Sequence, residues 1–283
     1  MIEKLQEETK KLLKEKKVNI VIGYEKISSY TTPCFIENED EVEKLIFNEY
    51  CVYNLSLYLP KFLKSKTKPI AIVAKGCDVK SIIVLVQEHQ IMREDIIIIG
   101  VECNGVKSFE NKNIMEKCKM CDVHIPKIYD ILIRRPGETN AKETVSQNEE
   151  IDELEGKTIE ERWNYWKKEF DKCIRCYACR QICPLCYCYE CIVDCNLPGW
   201  VSPYSSLNGN TVWNVIRAYH LAGRCTGCGE CERVCPVKIP LMKLNKKMSK
   251  EIKELFNYTA GEKFDVKPPL DDFSKEDRED FIK

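Results

Sequence analysis

The sequence predicts an N-terminal open α/β domain with βαβ units, followed by a small cysteine-built module that makes the whole α+β, with helical extensions. Three observations predict this. Short β-branched runs alternate with amphipathic helical stretches before residue 135. A tight turn at Lys75-Gly76 joins one such run to a helical stretch that leads into another, the pattern of a βαβ unit. Twelve of the 18 cysteines then crowd into residues 173 to 235. With 283 residues the chain has length for two ordinary domains.

The elements follow in order. Residues 2 to 16, rich in Glu and Lys with Leu5, Leu12 and Leu13, read as a surface helix. Val18 to Tyr24 reads as a strand, and Asp40 to Phe47 as a helix with Val42, Leu45 and Ile46 on one face. Pro69 to Ala74 is a buried strand closed by Lys75-Gly76. Asp78 to His89 follows as a helix whose apolar stripe is Val79, Ile82, Ile83 and Val86, and Asp95 to Val101 is the parallel strand after it. Residues 136 to 156 are polar and acidic and read as a linker. Thr158 to Asp171 reads as a helix, its Trp163, Trp166 and Phe170 spaced to pack on the next module. Between Trp200 and His220 a loop with Gly209 leads into a helix carrying Trp213, Ile216 and Tyr219. The expected domains are 1 to 135 for the α/β part, 136 to 172 for linker and aromatic helix, 173 to 245 for the cysteine module, and 246 to 283 for a polar extension. Its Pro268-Pro269 stretch suits an extended arm or a docking segment.

Composition excludes several classes. Lys plus Arg number 44 and Asp plus Glu 45, so the net charge of -1 gives no chain-wide nucleic-acid footprint. The runs 81 to 86 and 96 to 99 are too short to span a bilayer, and the charged N-terminus has no secretory core. A cytoplasmic setting is expected, with no membrane insertion, and there thiols favour metal over disulfides. The histidines His89, His124 and His220 sit in no triad or metalloprotease pattern, so no catalytic residue is assigned.

The chemistry lies in the cysteine spacing. Cys173-x2-Cys176-x2-Cys179-x3-Cys183-Pro184 recurs as Cys225-x2-Cys228-x2-Cys231-x3-Cys235-Pro236. This run binds a pair of [4Fe-4S] clusters in bacterial-type ferredoxins, so residues 173 to 245 read as a ferredoxin-like two-cluster module. Three cysteines two residues apart wrap one face of a cubane. The fourth is expected to open a helix and face the other cluster. The expected sets are therefore crossed: Cys173, Cys176, Cys179 and Cys235 for one, and Cys225, Cys228, Cys231 and Cys183 for the other. Two structural zinc sites are the rival, but zinc gains nothing from the third step and the Cys-Pro end. Fully thiolate-ligated clusters pass single electrons and have no open position for a substrate. Between the motifs, Cys186-x-Cys188-x2-Cys191-x3-Cys195 could hold a further cluster or a zinc ion, or be buried small residues.

In the first domain Cys77 and Cys103 each follow a predicted parallel strand, where open α/β sheets collect ligands. The helix after Cys77 would turn amide donors toward an anionic group. With Cys118-Lys119-Met120-Cys121 downstream, the thiols number four, the complement of a third [4Fe-4S] cluster. Buried, unliganded cysteines are the alternative, and Cys34 and Cys51 are read that way.

At Lys75-Gly76-Cys77-Asp78, Val101-Glu102-Cys103-Asn104-Gly105 and Cys118-x2-Cys121 through Tyr129-Asp130, the chain resembles the beta subunit of coenzyme F-420 hydrogenase and dehydrogenase, which includes formate dehydrogenase beta subunits. The likeness covers roughly residues 18 to 135. It implies a [4Fe-4S] cluster on Cys77, Cys103, Cys118 and Cys121 and, in full-length members, FAD that exchanges hydride with a deazaflavin. Those members begin with a Gly-rich segment that helps hold the flavin, whereas residues 1 to 17 here contain no glycine. The expected function is an iron-sulfur electron-transfer subunit of an anaerobic redox complex. It would serve a molybdenum or tungsten oxidoreductase such as formate dehydrogenase, or a heterodisulfide-reductase-type protein. The alternatives are a flavin-dependent subunit exchanging electrons with coenzyme F-420, and a cluster carrier or redox sensor.

Overall fold

The computed structural model describes residues 1–65, 69–119, 121–135, 149–195 and 197–269, with 149 and 150 by backbone alone. It divides into two compact units, Met1–Ser146 with Gly261–Asp265, and Gln147–Ala260 with Val266–Lys283. In chain order the first unit runs α1 (Ile2–Lys14), β1 (Ile20–Ile27), β2 (Tyr30–Ile36), α2 (Leu59–Lys64), β3 (Ile70–Ala74), α3 (Gly76–Gln87), β4 (Ile96–Val101), α4 (Glu116–Lys119) and β5 (Ile131–Ile133). The second holds α5 (Glu149–Glu155), α6 (Ile159–Asp171), α7 (Ala178–Gln181), α8 (Leu207–His220), α9 (Glu230–Arg233) and α10 (Leu241–Phe256). The N-terminal α/β expectation is met.

The sheet order is β2-β1-β3-β4-β5, parallel except for the antiparallel β1–β2 pair. β3 lies at its centre because Ile70-Ala71-Ile72-Val73-Ala74 has no polar face, and all five residues are buried. β3, α3 and β4 form the expected βαβ unit. The β1–β2 hairpin turns at Ser28-Ser29 with φ +54° at Ser28, and β2 is an edge strand, which tolerates Pro33.

Two sequence expectations shift for physical reasons. The helix expected over 40 to 47 is a 3-10 turn, Glu39–Lys44. Leu45 and Ile46 are drawn into extended backbone by β1, where Ile46 N donates to Tyr24 O at 2.8 Å. Leu45 Cδ1 lies 2.2 Å from where a Cβ on Gly23 would sit, so any side chain there would have to displace the buried Leu45. The acidic stretch ending at Gly156 contains a helix, α5, rather than only linker. Its Asp152 meets Lys250 of α10 at 3.0 Å, and Glu155 pairs with Lys247 and Lys250, so the acids are neutralised against a basic helix face. The rest of that stretch, 136–148, and the tail 270–283 lie outside the described residues. Residue 245, the expected end of the cysteine module, falls inside α10, whose Asn245 and Ile252 are both buried.

The helix expected from Asp78 starts at Gly76 instead. Asp78 accepts from Lys75 N at 2.8 Å and from Leu55 N at 2.9 Å. Lys75 Nζ reaches Asp78 Oδ2 at 2.9 Å and Tyr53 O at 2.7 Å, and also bonds the Tyr24 hydroxyl. Burial alone would lower the Lys75 pKa, but Asp78, Tyr24, Cys77 and Cys103 together hold it well above the usual lysine range. Among the described residues no helix is long and apolar enough to cross a membrane.

The Lys75–Asp78 pair is buried, with side chains 3% and 0% exposed. Lys75→Met leaves a buried carboxylate without its cation and should lower the stability of the first unit by about 3–5 kcal/mol. Chemical unfolding of the full chain checks this, and an unchanged midpoint would mean that the backbone donors alone satisfy Asp78.

Candidate metal centres

The first centre grows from adjacent strand ends. Ala74 of β3 faces Gly100 of β4 in register, so the carboxyl ends of the two strands are neighbours. Cys77 is the second residue of α3, and Cys103 follows β4 by two residues. A segment then returns to this edge. Cys103 N donates to His124 O at 2.9 Å, and the Val123 carbonyl passes 2.3 Å from where a Cβ on Gly76 would be. Only glycine permits that approach, and it carries Cys121 to the strand ends. Gly105, at φ +99°, gives Cys103 a backbone donor, and Val106 N donates to Cys118 Sγ at 3.3 Å.

The four thiols are thereby gathered. Cys121 lies within electrostatic reach of Cys77 and Cys103, and Cys118 within reach of Cys103. Burial is the main influence on Cys77, Cys103 and Cys121. It holds Cys77 well above the usual thiol range, pushes Cys103 up to about 11, and raises Cys121. Lys75 and Lys117 act in the opposite sense on Cys77. Four soft donors beside a buried lysine and a helix N-terminus fit an anionic thiolate-held cluster. Cys34 and Cys51 are buried, and burial drives each thiol up to about 12.

The second and third centres share one geometry. In each motif the third cysteine lies in a one-turn helix, Cys179 in α7 and Cys231 in α9, and these helices pack on each other. The fourth cysteine follows its helix instead of opening one, which corrects the sequence expectation. The loops match residue for residue in backbone handedness. Arg175 and Tyr177 have φ +58° and +56°, and the equivalent Gly227 and Gly229 have φ +68° and +70°. Alternation of right- and left-handed residues turns successive N–H groups inward, a concavity suited to anions.

In the second motif glycine supplies that handedness freely. In the first, two bulky residues are held in it by their contacts. The Arg175 guanidinium is buried, donating to Gly209 O at 2.7 Å, Ser202 O at 2.8 Å and the Tyr177 hydroxyl at 2.8 Å. Tyr177 sits edge-on to Trp213 of α8. The same helix sends Asn210 Nδ2 to Cys173 O at 2.7 Å and Arg217 Nη2 to Cys179 O at 3.1 Å. These polar residues of α8 were missed in the sequence, where only the apolar Trp213, Ile216 and Tyr219 stood out.

Cys173 and Cys179 pack against buried Cys235 and Cys231. Cys179 lies within electrostatic reach of Cys173, Cys176 and Cys235, while Cys228 and Cys231 lie within reach of Cys183 and Cys225. Cys235 thus comes near Cys179 of the first motif, and Cys183 near Cys228 and Cys231 of the second. Burial is the chief cause holding Cys228 and Cys231 above the usual range, whereas for Cys183 the leading cause is its hydrogen bond with Cys186. Thiol sulfurs also accept hydrogen bonds here, from Ile239 N to Cys235 at 3.4 Å and from Asn245 Nδ2 to Cys231 at 3.7 Å.

Cys186 bonds Cys183, Cys188 is exposed, and Cys195 is associated with Glu190 and with the Cys191 carbonyl, 3.6 Å away. Among the described residues no group of three or more His, Cys, Asp or Glu side chains closes around a point fit for a single metal ion. The aromatic stripe of α6 is divided: Phe170 is buried and stacked by Trp166, while Trp163 is half exposed.

Comparison with known proteins bears on the second motif and on the whole chain. Residues 218–240 match the 4Fe-4S binding domain family. The chain is 23% identical to the F420-dependent formate dehydrogenase subunit beta of Methanocaldococcus jannaschii, covering 81% of this chain and 83% of that protein. It is 24% identical to the F420-dependent formate dehydrogenase 1 subunit beta of Methanococcus maripaludis over 47% of this chain and 34% of that one. It is 28% identical to the sulfhydrogenase 2 subunit beta of Pyrococcus furiosus over 28% of this chain and 31% of that one. The likeness to formate dehydrogenase beta subunits expected from residues 18 to 135 is met, and the chain carries a 4Fe-4S binding domain.

Gly76→Ala forces the Val123 carbonyl away, and with it Cys121. The expected outcome is a loss of about 1–3 kcal/mol in stability, as for other overpacked sites. Anaerobically purified variant should also hold about four fewer irons per chain, one cubane's worth. Iron analysis beside the unmutated chain checks this, and undiminished iron would separate Cys121 from the site.

Proposed function

We propose that the chain is an iron-sulfur electron-transfer subunit of an anaerobic redox complex. It relays single electrons between a catalytic oxidoreductase, formate dehydrogenase-like or heterodisulfide-reductase-like, and another redox partner. The observation that carries this reading is the approach of Cys235 to Cys179, and of Cys183 to Cys231, between two motifs of identical spacing. The resemblance to subunits of formate dehydrogenase and sulfhydrogenase supports a complex as the working state.

Three quartets would hold [4Fe-4S] clusters: Cys77, Cys103, Cys118 and Cys121; Cys173, Cys176, Cys179 and Cys235; and Cys225, Cys228, Cys231 and Cys183. A cluster so held takes up and gives back one electron without making or breaking a substrate bond. The residues of the chain do the rest. The thiols supply all the ligands, so no position is left for a substrate. The left-handed turns at Arg175, Tyr177, Gly227 and Gly229 set the amides of each loop. Asn210 and Arg217 fix the first loop through its carbonyls, and buried Lys75 supplies positive charge at the strand ends. The cytoplasm, where thiols stay reduced, suits this chemistry.

A second reading is favoured by the names of two relatives, which are F420-dependent. It makes the chain a flavin-dependent subunit exchanging electrons with coenzyme F-420. The first glycine, Gly23, is packed under Leu45 inside β1 and offers no open phosphate cradle, so no step is assigned to FAD. Flavin content after anaerobic purification, with a turnover assay on reduced F-420, separates the readings. Stoichiometric flavin and turnover would replace the first with the second.

Anaerobic purification should give about twelve irons and twelve sulfides per chain, three cubanes, together with copurifying oxidoreductase subunits. A yield near sixteen would add a cluster at Cys186, Cys188, Cys191 and Cys195. Crossing makes a sharper demand. Cys183→Ser should perturb the same spectroscopic cluster as Cys225→Ser, and Cys235→Ser the same one as Cys173→Ser. If Cys183→Ser instead matched Cys173→Ser, the sets would be uncrossed.

A further inference from the structure

Arg217 lies on α8, between the two motifs in sequence, and is 4% exposed. A guanidinium stays charged even when buried. It lines one cavity with Cys183, Cys225, Cys228, Cys231 and Asn245. Its Nη2 donates to Cys179 O at 3.1 Å, and the guanidinium also bonds the Cys186 thiol. Its Nε, by contrast, is buried with no hydrogen-bond partner. A buried N–H left unmade is costly, so the position calls for an acceptor. Glu230 lines the same cavity, but its carboxylate is engaged by Arg233 at 2.7 Å. Besides the Thr226 hydroxyl and the Asn245 amide oxygen, the side-chain acceptors lining the cavity are sulfurs, and Asn245 Nδ2 already donates to one of them, Cys231 Sγ, at 3.7 Å.

We infer that Arg217 is a positioning residue that sets the reduction potential of the cluster held by Cys183, Cys225, Cys228 and Cys231, its Nε–H donating to sulfur in that cavity. The inference rests on the proposed reading that this quartet holds a [4Fe-4S] cluster. Reduction adds one electron, supplied in the test by dithionite, and makes the cluster more negative by one charge. A fixed cation and a donor to sulfur both favour that state, so Arg217 holds the potential up.

The test uses the full chain, purified anaerobically, with iron counted and EPR signals followed as the potential is lowered. In Arg217→Gln with full iron, one cluster should become at least tenfold harder to reduce, about 59 mV for one electron. Arg217→Lys keeps the charge and should shift it less. An unmoved potential in fully loaded Arg217→Gln overturns the inference. Where that variant loses iron, pulsed EPR on the unmutated chain grown with nitrogen-15 arginine decides. A nitrogen-15 coupling to the reduced cluster that vanishes in Arg217→Lys supports direct donation, and no coupling in the unmutated chain overturns it. Unmutated chain without any iron-based EPR signal would instead overturn the underlying reading.

Discussion

A thiol removed from water resists ionisation, and the rest of this molecule is arranged around that constraint. Burial is the main reason that Cys77, Cys103, Cys228 and Cys231 hold their protons more tightly than a free thiol. Four such groups cannot become thiolates together unless something positive offsets them. An iron core does this directly. The chain adds buried cations of its own, Lys75 near one quartet and Arg217 near another. Each is held by the backbone as well as by charge, Lys75 through Tyr53 O and Arg217 through Cys179 O. The charges are therefore part of the architecture of each unit.

The two kinds of centre solve the gathering problem differently. In the first unit a parallel sheet places two thiols at neighbouring strand ends, and a returning loop delivers two more past Gly76. In the second unit no sheet is involved. Two copies of one loop pack through α7 and α9, and the last cysteine of each copy comes near cysteines of the other. The second copy meets the backbone requirement with Gly227 and Gly229. The first meets it with Arg175 and Tyr177, whose left-handed backbones are held by contacts to residues 202 to 213 in the insertion. The insertion between the motifs is thus a brace for the first loop as well as a spacer.

Much of this was legible in the sequence, and the exceptions have physical causes. The spacing of Cys173 to Cys183 and Cys225 to Cys235 carried the ligand pattern, because thiol spacing on a short loop is local. The strands at 70 and 96 and the helix between them announced themselves by apolar periodicity. β2 did not, since its hairpin turns on Ser28-Ser29 without glycine or asparagine, and Pro33 marks only an edge strand. β5, three residues long, is too short for periodicity to show. α5 read as linker because its acids are balanced by lysines of α10 about a hundred residues away, beyond any local pattern. Arg217 carried no signal at all, for a lone arginine on a helix reads as a solvated charge until the fold buries it.

Thiol quartets that hold one-electron iron-sulfur clusters leave a signature in the iron itself. Mössbauer spectroscopy tests it most directly, on the chain grown with enriched iron and kept anaerobic, before and after dithionite. The expected spectrum is that of sulfur-ligated cubane iron, which converts on reduction and returns on reoxidation. Mononuclear iron, or zinc in place of iron at the paired motifs, would contradict it.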